Sequence, residues 1–119
     1  MTTENPLVTT IVEAIQDKKG SNIIIADLYH IPEAVCNFFV ICQGNSHNQV
    51  ETIARHIGDE AREKRDERPV AVCGEQNAVW IALDYGDVMV HIFQPEARRF
   101  YDLEHLWADA GLTEIPDLI

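Results

Sequence analysis

The sequence predicts an α/β (α+β) fold: a single domain, residues 1–119, with a mixed sheet of about five strands and helices packed on it. Three observations lead there. Two stretches carry apolar residues at helical spacing, short β-branched runs lie around them, and two apolar runs flank a glycine-containing turn. The resulting order is helix, strand, strand, helix, strand, strand, strand, helix, which several strand arrangements can satisfy. At 119 residues the chain can bury a core without disulfide or metal staples.

Leu7, Val8, Ile11, Val12 and Ile15 repeat at helical spacing behind Asn5-Pro6, where proline suits a first turn. Lys18 and Lys19 favour the negative end of that helix, and Gly20 closes it. Asn22 to Leu28 is short and β-branched and reads as a buried strand, with Pro32 breaking the chain beyond it. Phe38 to Gln43 reads as a second buried strand. Gly44-Asn45 turns the chain into a helix with Ser46 as N-cap, and Val50, Ile53, Ala54, Ile57 and Ala61 form its apolar stripe. The mixed charges from Asp59 to Arg68 suit a solvated helix end. Val70 to Cys73, between Pro69 and Gly74, reads as a short strand near an edge.

Ala78 to Leu83 and Val88 to Phe93 read as a β-hairpin around Asp84-Tyr85-Gly86-Asp87. With Tyr85 and Gly86 as the loop, Leu83 faces Val88, Ile81 faces Val90 and Val79 faces Ile92, an aliphatic face. The other face pairs Trp80 with His91 and Ala82 with Met89, with Phe93 near Ala78. A hairpin apolar on both sides is central in its sheet, and the mixed face suits an interface. After Gln94-Pro95, residues Phe100, Leu103, Leu106 and Trp107 form an apolar set on a short helix capped by Asp102 and ended by Gly111. The last residues, TEIPDLI, show no periodicity.

Nine Lys and Arg against 20 Asp and Glu give a formal charge of -11, which opposes contact with nucleic-acid phosphate and favours basic protein partners. No basic leader precedes an apolar block, and no apolar run approaches the roughly 20 residues needed to cross a bilayer, so a cytoplasmic protein is expected with no membrane contact. Cys36, Cys42 and Cys73 are odd in number and lack a CxxC pair, which reads as buried thiols in a reducing compartment.

Gly44-Asn45-Ser46, at a strand-to-helix junction, can present N–H groups and a hydroxyl to a phosphate, or can be an ordinary turn and N-cap. A nucleotidyl-transfer site also needs paired carboxylates on one strand to hold metals, and no Asp-x-Asp occurs. His30, His47, His56, His91 and His105 lack the close spacing of a zinc motif, so no metal site is expected. His91, on a central strand, reads as a hydrogen-bonded core or interface histidine; Cys42, with no nearby histidine, is a poor nucleophile candidate. Neither catalysis nor a cofactor is expected. Trp80, Tyr85, Arg98, Arg99 and Tyr101 exceed ordinary packing needs: they are residue types that anchor protein interfaces, and equally Trp80 and Tyr101 can be partly buried core.

WIALDYGDVMVHIF from Trp80 to Phe93, then Arg98-Arg99-Phe100-Tyr101, Leu103-Glu104 and Leu106-Trp107, resembles the Iojap-like ribosomal silencing factors. Lys18-Lys19, Ile23 to Leu28 with Asp27, and VICQGNS from Val40 to Ser46 fit the same pattern. The match spans about residues 7–107, leaving 108–119 as a tail. The resemblance implies a nucleotidyltransferase-like fold without catalytic carboxylates and a non-enzymatic role. It implies binding to the large ribosomal subunit through its basic protein fourteen, a steric block to small-subunit joining, translational repression, and a homodimer when free. Carried over by position, Trp80, Tyr85 and Tyr101 face the partner, with Asp84, Asp87 and Glu104 as acidic contributors and Arg98 beside them. The alternative is a nucleotide-binding or nucleotidyltransferase-like enzyme using Gly44 to Ser46. Cys73 replaces the usual Glu before the glycine, and Asn37-Phe38 replaces the usual Asp-Tyr.

Overall fold

The computed structural model describes residues 5–28, 31, 36–102 and 111–117. Helix α1 (Pro6–Asp17) begins at Asn5, whose side-chain oxygen accepts from the Leu7 and Val8 N–H groups at 2.9 and 3.3 Å. Strands β1 (Ser21–Asp27) and β2 (Phe38–Gln43) follow, then helix α2 (His47–Arg65), strands β3 (Ala71–Cys73), β4 (Trp80–Asp84) and β5 (Val88–Phe93), helix α3 (Pro95–Tyr101) and strand β6 (Gly111–Ile115). The sheet order is β3-β4-β5-β2-β1-β6, with β2 and β5 parallel at the centre and every other pair antiparallel.

Periodicity dictates the layering. The stripes of α1 (Leu7, Val8, Ile11, Ala14, Ile15) and α2 (Val50, Ile53, Ala54, Ile57, Ala61) pack on one sheet face against Ile25, Val40, Cys42, Ile81, Leu83, Val88, Val90 and Ile92. On the opposite face Ala26, Phe39, Ile41 and Phe93 pack with Leu28, Cys36 and Ala97 of α3, and with the partly buried Ile31, Trp80 and Met89.

Several expectations need correction. The sheet has six strands rather than five: β6 lies in the unpatterned C-terminal stretch and pairs with β1, Ile23 facing Ile115 and Asp27 facing Gly111. Four of its five residues are exposed, so backbone pairing holds it and no hydrophobic period marks it. A helix that the periodicity did not mark forms at Pro95–Tyr101, with Asp102 as its C-cap at φ 51. Gly111 opens β6, and the helix expected between Asp102 and Gly111, with Leu103, Glu104, Leu106 and Trp107, lies outside the described residues.

The hairpin forms, displaced by two residues in register. Leu83 faces Val90 and Ile81 faces Ile92. The turn lies one residue further along than the sequence suggests: the Tyr85 N–H donates to the Val88 carbonyl at 2.9 Å, and the Asp87 N–H to the Tyr85 carbonyl at 3.2 Å. Gly86 supplies φ 86 at its centre. A slip of two keeps the side chains of β4 and β5 on their expected faces, where a slip of one would have exchanged the faces. Tyr85 is thereby drawn into the ladder and the core. Ala78, at φ 53, reverses the alternation at the other end, so Ala78 is buried and Val79 exposed.

Cys36 and Cys42 are buried, and burial pushes their thiols up to about 11 and about 12. Cys73 is exposed on β3, contrary to expectation, because that three-residue edge strand has all its side chains exposed.

Candidate functional site

The aromatic residues converge where β4 begins and β5 ends. Trp80 and Phe93 face each other in the ladder, and their rings stack with centroids 4.9 Å apart. Tyr101, the last residue of α3, leans on Trp80 at 4.5 Å, and Phe100 meets Tyr101 edge-on at 5.1 Å. Trp80 is half-buried, Tyr101 is 46% exposed and Phe100 81% exposed, with Val79 also at the surface. The cluster is thus anchored inside and uncovered outside.

Local hydrogen bonds hold α3 in this position. The Gln94 N–H donates to the Val79 carbonyl at 2.8 Å, and its side-chain amide to the Ala78 carbonyl at 3.0 Å, tying the start of α3 to the start of β4. At Asn22 the pairing of β1 with β2 shifts register, and Asn22 takes φ 52. Arg98, 7% exposed, donates to the Asn22 carbonyl and to Gln43 Oε1 at 3.4 Å. The Asn22 N–H donates to Asp117 Oδ1 at 2.9 Å. Both backbone groups of the irregular residue therefore have side-chain partners.

His91 lies beneath the indole. Trp80 Nε1 donates to His91 Nδ1 at 3.0 Å, although Phe93 is the register partner of Trp80; the diagonal neighbour is within reach of so long a side chain. An indole N–H only donates, so Nδ1 accepts and the neutral ring carries its proton on Nε2. His91 is 4% exposed, its Nε2 has no partner among the described residues, and burial pushes its pKa down to about 4. The Phe39 ring stands edge-on to it at 4.9 Å.

The expected contact residues divide. Trp80 and Tyr101 come together with an uncovered surface. Asp87 is exposed at the hairpin tip, whereas Asp84 is half-buried and accepts the Gly86 N–H on Oδ1 at 2.8 Å, so it braces the turn. Tyr85 is not a surface anchor: it is 8% exposed, its hydroxyl has no partner among the described residues, and burial with the nearby Glu67 pushes its pKa up to about 12. Arg98 is likewise a buried fastener rather than a surface contact. Glu104 lies outside the described residues. Phe100 and Val79 were missed as surface apolar groups. A helix started at Pro95 would have revealed Phe100, since two residues turn about 200° and set it opposite the buried Arg98.

The Gly44–Ser46 turn is spoken for internally. Ser46 Oγ accepts the Gln49 N–H at 3.1 Å, and Gln49 Oε1 accepts the Asn45 N–H at 2.7 Å. The Gln49 amide also donates to the Lys18 and Lys19 carbonyls at 3.3 and 3.0 Å, which ties the start of α2 to the end of α1. Elsewhere, folding gathers Asp17, His56 and Glu60, whose donor atoms all lie within 4.8 Å of one another, a grouping that sequence spacing did not reveal. His56 Nε2 and Asp17 Oδ2 are hydrogen-bonded at 3.1 Å between α2 and α1, and Glu60 pairs with Lys64 along α2 at 2.9 Å. Among the described residues no helix is long and apolar enough to cross a membrane.

Comparison with known proteins places this geometry in a family. A family model described as "Ribosomal silencing factor during starvation" matches residues 1–119. The chain is 41% identical over 105 residues to Ribosomal silencing factor RsfS of Bacillus subtilis, covering 86% of this chain and 85% of that one. It is 37% identical over 79 residues to the chloroplastic protein Iojap of Zea mays, covering 66% of this chain and 34% of that one. A crystal structure of a Chromobacterium violaceum protein superposes with a TM-score of 0.83 at 28% identity, covering 90% of this chain and 88% of the other. By sequence and by fold, the chain belongs to the ribosomal silencing factor family.

Proposed function

We propose that this protein binds the large ribosomal subunit through its basic protein fourteen, blocks association with the small subunit by occupying space, and so represses translation without catalysing a reaction. The observation that carries this reading is the uncovered cluster of Trp80, Tyr101 and Phe100, an aromatic group of the kind that forms interface hot spots. A formal charge of -11 favours encounter with a cationic surface. Membership of a family named for ribosomal silencing supplies the biological context. A stable contact of this type buries on the order of 1,200 to 2,000 Å² in total. The same reading makes the protein cytoplasmic and a homodimer when free, with Asp87 at the rim of the contact.

Trp80→Ala tests it. Removing a hot-spot aromatic costs about 2 kcal/mol or more, roughly a 30-fold weaker complex. Co-sedimentation with purified large subunits is expected to fail at concentrations where wild type pellets, and gradient profiles of mixed subunits should return to the associated form. Circular dichroism checks that the variant is folded. Normal co-sedimentation of a folded Trp80→Ala protein would remove the site.

A further inference from the structure

The indole of Trp80 has a single hydrogen-bond donor, and His91 already accepts it at 3.0 Å. The acceptor is fixed in place, because His91 is buried on a central strand between Phe39, edge-on at 4.9 Å, and Phe93, stacked at 6.2 Å. The polar edge of the indole therefore points into the protein, and what remains for a visitor is carbon. We propose that Trp80 meets its partner through the face and edge of its ring alone, the N–H being withheld by His91, so that the partner presents alkyl and cationic groups of basic side chains at this point and no hydrogen-bond acceptor. This rests on the docking role proposed above. A ring face attracts cations as well as apolar groups, which suits recognition of basic side chains by a chain of charge -11. His91 is a positioning residue here: it touches no partner and sets which part of Trp80 is on offer.

The double variant Trp80→Phe with His91→Leu removes donor and acceptor together and keeps an aromatic ring, so neither buried partner is stranded. Co-sedimentation with purified large subunits is compared for wild type, Trp80→Ala and the double variant. A ring-only contact predicts that the double variant binds three- to fivefold more weakly than wild type, reflecting its smaller ring, while Trp80→Ala binds at least 30-fold more weakly. A double variant as weak as Trp80→Ala overturns the proposal and leaves the docking role intact. Wild-type binding by Trp80→Ala overturns the docking role and the proposal with it. Nitrogen-15 spectra of the wild-type protein give a second measurement that needs no variant to fold. A His91 ring protonated on Nε2 and bare on Nδ1 supports the proposal, and a proton on Nδ1 refutes it.

Discussion

Acid should unfold this protein partly through one histidine. Burial alone pushes the pKa of His91 from 6.5 down to about 4, so the folded chain holds the ring neutral while the unfolded chain takes up a proton as pH falls through 6.5. Between those values the unfolded state binds more protons, and stability rises with pH. The contribution is complete above pH 6.5 and is lost as pH falls towards 4. At about 1.36 kcal/mol per pH unit the whole effect is about 3 kcal/mol, of which about 2 kcal/mol disappears between pH 7 and pH 5. Urea titrations of wild type and His91→Asn at the two pH values isolate it, because the other titrating groups are common to both and the asparagine cannot ionise. Wild type should lose about 2 kcal/mol more than the variant, equivalent to a midpoint shift on the order of 1 M urea. Equal losses in the two proteins would refute the assignment of a buried, neutral imidazole.

Gly74 has φ 89, and a β-carbon there would run into the Trp80 carbonyl oxygen; Gly74→Ala should cost about 2 kcal/mol or more and lower the melting temperature by several degrees in calorimetry. Arg98→Met leaves the Asn22 carbonyl and Gln43 without their donor and should cost about 1 to 3 kcal/mol, with earlier proteolysis around α3. Phe100→Ser, at an exposed position, should leave stability within about 0.5 kcal/mol while weakening large-subunit binding by about 1 kcal/mol, roughly fivefold by sedimentation.

Most of the fold was legible because burial writes itself into periodicity. The stripes of α1 and α2 and the alternation of β4 and β5 each named a face, and the side chains lie on those faces. What periodicity could not supply was anything held by backbone alone. β6 is a strand because β1 offers it partners, while Leu112, Thr113 and Glu114 stay in water. Hairpin register was illegible for a related reason: Asp84-Tyr85-Gly86-Asp87 allows two placements of the turn that differ by two in pairing and leave the faces unchanged. That ambiguity decided the fate of Tyr85, which its place in the expected turn suggested for the surface. At the candidate site, Trp80 and Tyr101 could be named from residue type, yet their meeting depended on α3, whose anchor is a buried arginine serving an irregular residue in a distant strand. Such an anchor has no local signature.

The brevity of β3 bears on how the protein behaves in a crowded cell. Open sheet borders invite foreign strands, and Val70 and Val72 are exposed beside this one. An intruder would find only three residues of ladder, flanked by Pro69, which lacks an N–H, and by the left-handed bend at Gly74. A ladder this short offers an added strand few hydrogen bonds, at about 1 kcal/mol net each, to set against the roughly 1 to 2 kcal/mol needed to immobilise each of its residues. Exchanging Pro69 for a β-branched residue would restore an N–H beside that ladder and lengthen what an incoming strand could pair with.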